Sequence, residues 1–248
     1  MNGIPLPPKE LRWGGPRYAD DAVYIASALR GAKTLETECE VTAQSAVLDI
    51  GCGQGRLLRG LIEHFGSIRR YVGLDVHGPS IEWLRKNIHV AGADFLWVDY
   101  RNERYHKTGR NQLAVNLDEK FDCIALFSVF SHMRVADIAK YLDFIAASLA
   151  PNGKVLLSMF VEDDAPEETE NPPGYHREWS GALHCVRINR QHFERMLRMH
   201  GMQIKLFRYR HTNDGQSTYV LQSAGQAFKA TVIPSAPLPG PAPASQAP

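Results

Sequence analysis

Short apolar runs alternate with longer segments of helical periodicity through most of the chain. Runs of this length, bounded by polar or glycine-rich segments, are typical of buried strands. The strand-like runs are Ala46–Ile50, Tyr71–Val76, Phe95–Val98, Phe121–Phe127 and Lys154–Phe160, and the helix-like segments between them are Arg56–Phe65, Ser80–Val90 and Val135–Leu149. The alternation predicts an α/β fold: a doubly wound, Rossmann-like, mostly parallel sheet with helices on both faces.

The flanks of this pattern predict further elements. Helical spacing of apolar residues covers Arg17–Arg30, and a second such segment covers Arg190–His200. Strand-like runs follow at Gln203–Tyr209 and Ser217–Gln222. Pro151-Asn152-Gly153 predicts a turn before the fifth strand.

Two long polar stretches interrupt the alternation, at residues 101–120 and 162–184. Segments of this length in a compact domain are usually binding loops or disordered. We therefore divide the chain into an N-terminal arm with lid helices (1–40), a central α/β domain (41–224) and a Pro/Ala-rich tail (225–248) that we expect to be disordered.

Composition excludes several classes of protein. The net charge of +1 gives no support to nucleic-acid binding, and no apolar run is long enough to cross a membrane. The N-terminus lacks the apolar core of a signal peptide. The four cysteines are far apart without C-x-x-C spacing, which indicates reduced thiols rather than disulfides or zinc ligands. We expect a cytoplasmic protein with no nucleic-acid or membrane partner.

A glycine-rich turn follows the first strand: Asp49-Ile50-Gly51-Cys52-Gly53-Gln54-Gly55. Glycines at such a turn let the backbone approach a ligand closely. The third glycine comes one residue earlier than in the dinucleotide-binding pattern. Asp49 would repel a pyrophosphate but suits the ammonium group of an amino acid. Both features argue against a nicotinamide dehydrogenase.

Acidic residues also end the next two predicted strands. Asp75 lies 24 residues after Gly51, where a carboxylate can accept both hydroxyls of a ribose. Asp99 follows the third strand and is succeeded by Tyr100. The fourth strand ends in Phe127-Ser128.

These motifs, in this order over roughly residues 45 to 160, resemble those of the class I S-adenosylmethionine-dependent methyltransferases. The resemblance implies a seven-stranded sheet whose seventh strand is antiparallel, and S-adenosylmethionine as the cofactor. It places Asp49 and the glycines at the methionine end, Asp75 at the ribose and Asp99 at the adenine amino group. The cofactor-binding residues that it implies are Asp49, Gly51, Cys52, Gly53, Gly55, Asp75, Val76, Asp99, Tyr100, Phe127 and Ser128.

The segment after the fourth strand bears on the methyl acceptor. Phe127-Ser128-Val129-Phe130-Ser131-His132 lacks the two prolines of enzymes that methylate base amino groups. It also lacks the glutamate pair of arginine methyltransferases and the aspartate of metal-dependent catechol-type enzymes. By elimination, we expect methylation of a hydroxyl on a small molecule or a sugar or glycan.

His132 is the candidate general base. An alcohol is a poor nucleophile until its proton leaves, and histidine accepts a proton near neutral pH. Some sugar O-methyltransferases of the resembled family carry a histidine at this position. The alternative is a structural histidine that only satisfies a backbone group. Two other functions stay open: N-methylation of a small amine, and cofactor binding without turnover.

Aromatic and histidine residues in the flanks are weaker candidates for substrate contact. They are Trp13, Tyr18, His106, Tyr175 and His176. The acidic run that begins at Glu162 is interpreted as a solvated loop, and no metal site is predicted. Oligomeric state is not predicted.

Overall fold

The computed structural model describes residues 4–173, 178–225 and 231–233. Its strands are β1 (Ala46–Ile50), β2 (Arg70–Asp75), β3 (Ala93–Trp97), β4 (Phe121–Leu126), β5 (Leu149–Glu162), β6 (Glu168–Glu170), β7 (Val186–Asn189), β8 (Met202–Arg208), β9 (Ser217–Ser223) and β10 (Thr231–Ile233). Its α-helices are α1 (Asp21–Cys39), α2 (Arg56–Phe65), α3 (Gly78–Asn87), α4 (Val135–Ser148) and α5 (Arg190–Met199). Short 3₁₀ turns lie at Lys9–Leu11, Pro16–Ala19 and Phe130–His132.

The main sheet has the strand order β10-β8-β9-β5-β4-β1-β2-β3. Strands β1 to β5 run parallel to one another, whereas β9 runs antiparallel to both β5 and β8. The predicted Rossmann-like α/β fold, with a mostly parallel sheet and one antiparallel strand, is confirmed. β10 adds an eighth strand to the seven that were predicted. β1 is the middle one of the five parallel strands β5-β4-β1-β2-β3, so the glycine turn opens at the centre of their carboxyl edge.

Helices cover both faces because neighbouring residues of a buried parallel strand point to opposite sides. Val47 packs with the cluster formed by α1, α2 and α3, and the next residue, Leu48, packs with that of α4 and α5. Asp20 caps α1 by accepting a hydrogen bond from the Val23 amide at 2.9 Å. α1 packs along α2, where Gly60 faces the Ala28 carbonyl, so it lies in the body of the domain.

The predicted turn at residues 151–153 lies within β5. Phe121 pairs with Leu149 and Cys123 pairs with Lys154, so three extra residues bulge from β5 between the two pairs. Residues with the composition of a turn therefore lie inside a strand rather than before it. The prediction of a turn that separates α4 from the fifth strand is wrong.

Two other segments contain strands that the sequence did not predict. β6 lies in the second polar stretch and pairs antiparallel with β7, which follows that stretch and pairs in turn with the end of β5. β10 lies parallel to β8, within the segment 225–248 that was expected to be disordered. Among the described helices, none has the length and apolar character needed to span a membrane.

Candidate active site

A cavity of about 210 Å³ lies at the carboxyl ends of β1, β2 and β4. Its walls come from the glycine turn, the segments after β2, β3 and β4, the N-terminal arm and α4. They are lined by Trp13, Gly14, Asp49, Ile50, Gly51, Cys52, Gly53, Gln54, Arg56, Leu57, Leu74, Asp75, Val76, His77, Val98, Tyr100, Asn102, Tyr105, Phe127, Ser128, Val129, His132, Met133 and Tyr141. Open α/β sheets bind ligands at this edge.

The glycine turn has a backbone that other residues rarely adopt. Gly51 has φ +74° and Gly53 has φ +53°, both in the left-handed region. A Cβ on Gly51 would lie 2.5 Å from Cγ2 of Val129, so the turn also packs closely against the segment after β4. Gly55, with φ +80°, caps α2 and lies outside the cavity lining. Cys52 lines the cavity, and burial raises the pKa of its thiol.

Asp75 is held in a fixed orientation beside the glycine turn. Its Oδ2 accepts a hydrogen bond from the Gly53 amide at 2.7 Å, and its Oδ1 accepts one from the His77 amide at 2.8 Å. Burial raises the pKa of Asp75, while the two amides oppose this effect. Each carboxylate oxygen keeps a second lone pair, so the group can still accept hydrogen bonds from a ligand. Val76, the next residue, lines the cavity.

Asp49 is buried, with 3% of its surface exposed. The Tyr71 hydroxyl donates to its Oδ2 at 2.6 Å. Burial raises the pKa of Asp49 to about 7, against the lowering effects of the Tyr71 hydrogen bond and the Arg56 charge. A buried carboxylate in this state is stabilised by a cation that binds in the cavity.

Asp99 does not reach the cavity. It is the middle residue of a tight turn in which the Tyr100 amide donates to the Val98 carbonyl at 2.8 Å. Its carboxylate instead pairs with His106 Nε2 at 2.9 Å and Arg110 Nε at 3.0 Å, and His106 also lies outside the lining. Tyr100 lines the cavity; its hydroxyl donates to Asp137 and accepts from Lys140 Nζ at 2.8 Å.

The segment after β4 brings Phe127, Ser128 and His132 to the cavity. Ser128 has φ +61°, a strained conformation for a residue with a side chain. Its Oγ accepts a hydrogen bond from Gln216 Nε2 at 2.7 Å. His132 ends the 3₁₀ turn, and its Nδ1 lies 2.9 Å from the Leu183 carbonyl oxygen. Because a carbonyl only accepts, Nδ1 carries the proton of the neutral ring and Nε2 carries the lone pair.

The N-terminal arm (residues 4–20) reaches over the cavity. Trp13 lines it and packs edge to face against His77 and Tyr105, with ring centroids 5.1 and 5.5 Å apart. Tyr18 is a buried residue of the arm itself and is absent from the lining; the guanidinium group of Arg56 lies over its ring. The predicted substrate residues Tyr175 and His176 lie outside the described residues.

The acidic run at residues 162–170 was expected to be a solvated loop. In the structure, most of its carboxylates form ion pairs with basic side chains of other segments. Asp163 pairs with Arg190 at 2.6 Å, and Glu167 pairs with His192 at 2.5 Å. Glu162, the last residue of β5, pairs with Arg210, and Glu168 and Glu170 pair with Arg134. Basic partners supplied by distant segments therefore fix this run on the domain. Within the described ranges, no three histidine, cysteine or acidic side chains are placed to hold a metal ion.

Sequence reasoning missed six polar or aromatic residues of the lining: Gln54, Arg56, His77, Asn102, Tyr105 and Tyr141. Arg56 directly follows the glycine turn, and His77 follows the second strand's acid by two residues. Arg56 and His77 could have been found from their short sequence separation from the glycine turn and from Asp75. Asn102 and Tyr105 belong to the first polar stretch, where the sequence carries no readable signal.

Comparisons with known proteins agree with this geometry. A sequence profile described as a methyltransferase domain matches residues 28–206. Three solved methyltransferase-fold structures are similar, and their low identities show the fold alone. They are the glycopeptide N-methyltransferase MtfA (15% identity, 86% of this chain and 100% of that chain, TM-score 0.56), the magnesium protoporphyrin IX methyltransferase of Synechocystis PCC 6803 with bound S-adenosylmethionine (13%, 85% and 85%, 0.54) and DesVI of Streptomyces venezuelae (17%, 81% and 92%, 0.54). The chain belongs to the methyltransferase-domain family, the class I S-adenosylmethionine-dependent methyltransferases, and its cofactor is S-adenosylmethionine.

Proposed function

We propose that this protein transfers the methyl group of S-adenosylmethionine to a hydroxyl group of a small molecule or a sugar or glycan, with His132 as the general base. One observation carries the proposal. His132 lies in the same cavity as Asp75, and its Nδ1 is engaged by the Leu183 carbonyl, so the lone pair is on Nε2. A base needs such a lone pair near the acceptor proton.

The lining has the donor set that the cofactor needs. Asp75, already oriented by two backbone amides, would accept the ribose hydroxyls. Asp49 would accept the ammonium group at the methionine end, where its burial favours a cationic partner. The positive φ values of Gly51 and Gly53 keep side chains out of the space between these two carboxylates.

For the adenine end we propose a different assignment from the one that the resemblance implied. Asp99 is turned outward and bound to His106 and Arg110. Val76, Val98 and Tyr100 line the cavity instead and offer apolar and aromatic surface. We assign the adenine ring to this surface, since flat rings bind well between apolar and aromatic side chains.

The reaction then depends on alignment and proton removal. When bound, the cofactor supplies a methyl group on a positively charged sulfur. His132 Nε2 takes the proton of the acceptor hydroxyl as the acceptor oxygen bonds to the methyl carbon and the carbon–sulfur bond breaks. Trp13 and Tyr105 cover the cavity, where they exclude water and hold the acceptor in line.

The charges of the lining favour a neutral acceptor over an amine. Its described carboxylates are Asp49 and Asp75, and both are assigned to the cofactor. An amine is cationic near neutral pH and would have no carboxylate left to bind it. The hydroxyl of an uncharged acceptor needs only the base.

The test has two stages. Calorimetry first measures binding of S-adenosylmethionine and S-adenosylhomocysteine to the wild type. A panel of phenols, sugars and small amines is then screened for release of S-adenosylhomocysteine. His132→Ala should keep cofactor affinity and lose at least about a hundredfold in turnover, the usual contribution of general-base catalysis. His106→Ala, outside the cavity, is the matched control.

Each other outcome identifies a different function. Turnover on amines that survives in His132→Ala would establish N-methylation. Tight cofactor binding without turnover on any acceptor would favour a binding protein.

A further inference from the structure

A closed ring of contacts joins His132 to the segment between β5 and β7. Nδ1 of His132 donates to the Leu183 carbonyl, and the Leu183 amide donates to Glu170 Oε1 at 2.7 Å. Glu170 Oε2 accepts from Arg134 Nη2 at 2.6 Å. Arg134 is only two residues after His132, so the backbone closes the ring.

Leu183 is the strained member of the ring. Its φ is +49°, in the left-handed region that is unfavourable for a residue other than glycine. Its side chain is buried in the core cluster under α4 and α5. Such a conformation persists only where its surroundings fix it. Here the Glu170 carboxylate fixes the Leu183 amide, which belongs to the same residue as the carbonyl that accepts from His132. The direction of the Leu183 carbonyl thus depends on Glu170.

Ion pairs anchor the carboxylate itself. Arg134 spans Glu170 and Glu168, with Nη1 donating to Glu168 Oε1 at 2.9 Å. The other oxygen of Glu168 accepts from the Val135 amide at 2.7 Å, at the first residue of α4. A carboxylate at a helix N-terminus is favourable, so the start of α4 and the β6 strand form one unit. The 3₁₀ turn that carries His132 leads directly into that unit.

We propose that Glu170 is a positioning residue for His132: through Leu183 it holds the proton on Nδ1 and directs the Nε2 lone pair to the cavity. Glu170 is absent from the cavity lining, so it acts only through these contacts. The role of the ring in catalysis rests on the proposed function, whereas the tautomer of His132 does not.

The test reads the tautomer directly, by long-range ¹H–¹⁵N correlation spectra of the histidine side chains at pH 8 with S-adenosylhomocysteine bound. The His132 signals are assigned by their loss in His132→Ala. The wild type should show one tautomer with the proton on Nδ1, and a nuclear Overhauser contact from that proton to Leu183. In Glu170→Ala the two nitrogen shifts should move toward each other as both tautomers become populated.

Two variants control for charge and for folding. Glu170→Gln should keep the wild-type tautomer, because the amide oxygen still accepts from the Leu183 amide. Glu167→Ala removes an acid of the same segment that pairs with His192 instead, and it should leave the spectrum of His132 unchanged. Unchanged binding of S-adenosylhomocysteine shows that each variant is folded.

The inference is overturned if folded Glu170→Ala keeps the Nδ1–H tautomer, or if the wild type lacks it. Should Glu170→Ala fail to fold, Glu170→Met takes its place, because it keeps the length of the side chain and removes the oxygen that accepts from the Leu183 amide; retention of the Nδ1–H tautomer in that variant overturns the inference. Because the experiment needs no acceptor, its result is independent of whether the proposed hydroxyl methylation is correct.

Discussion

Replacing Asp49 by asparagine should change how the stability of the protein depends on pH. In the folded protein, burial raises the pKa of Asp49 from 3.8 to about 7. Between these values the folded state keeps a proton that the unfolded state has lost. Stability therefore falls as pH rises from about 4 to about 7, and the loss is complete above pH 7.

The size of the effect follows from the two pKa values. Each pKa unit corresponds to about 1.4 kcal/mol, so the loss is about 4 kcal/mol over the whole range, with about 2.5 kcal/mol between pH 5 and pH 8. Asparagine cannot ionise and does not show this loss. Relative to the wild type, Asp49→Asn should gain about 2.5 kcal/mol in unfolding free energy on going from pH 5 to pH 8.

Urea unfolding of both proteins without ligand, at pH 5 and pH 8, measures this change. Asp118→Asn is the control, because Asp118 is an exposed carboxylate far along the chain from the glycine turn. A difference between Asp49→Asn and the wild type that is the same at both pH values would refute the reasoning. It would mean that Asp49 is not held in a desolvated site.

The remaining predictions concern the cofactor site. Asp75→Ala should weaken S-adenosylhomocysteine binding at least about a hundredfold in calorimetry, because two hydrogen bonds to a charged acceptor are worth about 3 kcal/mol or more. Asp99→Ala, outside the cavity, should change the same affinity less than about threefold. Gly51→Ala combines an unfavourable φ of +74° with a clash, and should lower the unfolding free energy in urea by more than Gly215→Ala, which has φ +84° and nothing within 4 Å. Trp13→Ala should speed dissociation of S-adenosylhomocysteine in stopped-flow displacement, because the ring covers the cavity.

Clear results would contradict each of these. Equal losses of S-adenosylhomocysteine affinity in Asp75→Ala and Asp99→Ala would mean that Asp99 contacts the cofactor after all. Equal losses of unfolding free energy in Gly51→Ala and Gly215→Ala would show that the segment after β4 moves to accommodate the added methyl group. An unchanged dissociation rate without the indole would mean that the arm does not close the site.

The strands and the glycine turn were predictable because they depend on local rules. A strand buried on both faces needs a continuous apolar run, and β1, β2 and β4 have one. The turn at Gly51 and Gly53 needs positive φ, which glycine adopts without strain. By contrast, residues 151–153 have the composition of a turn but bulge within β5, since pairing with β4 continues on both sides.

Pairing with distant segments determined which polar residues reach the site. Asp99 matched the family's adenine acid, yet a tight turn and the partners His106 and Arg110 direct it away from the cavity. The acidic run after β5 resembled a solvated loop because its basic partners are not its neighbours in sequence. Glu170 and Arg134, for example, are 36 residues apart.

The sequence by itself determined the fold class, the place of the glycine turn and the choice of cofactor. These follow from the alternation of apolar runs with helical segments and from the order of the motifs over roughly residues 45 to 160, and both can be read along the chain. It also selected His132 as the candidate base. The tertiary structure decided the proton position on that ring, since the Leu183 carbonyl that engages Nδ1 lies 51 residues further along the chain. Contacts of this kind depend on how whole segments pack together, which local propensity and spacing do not specify.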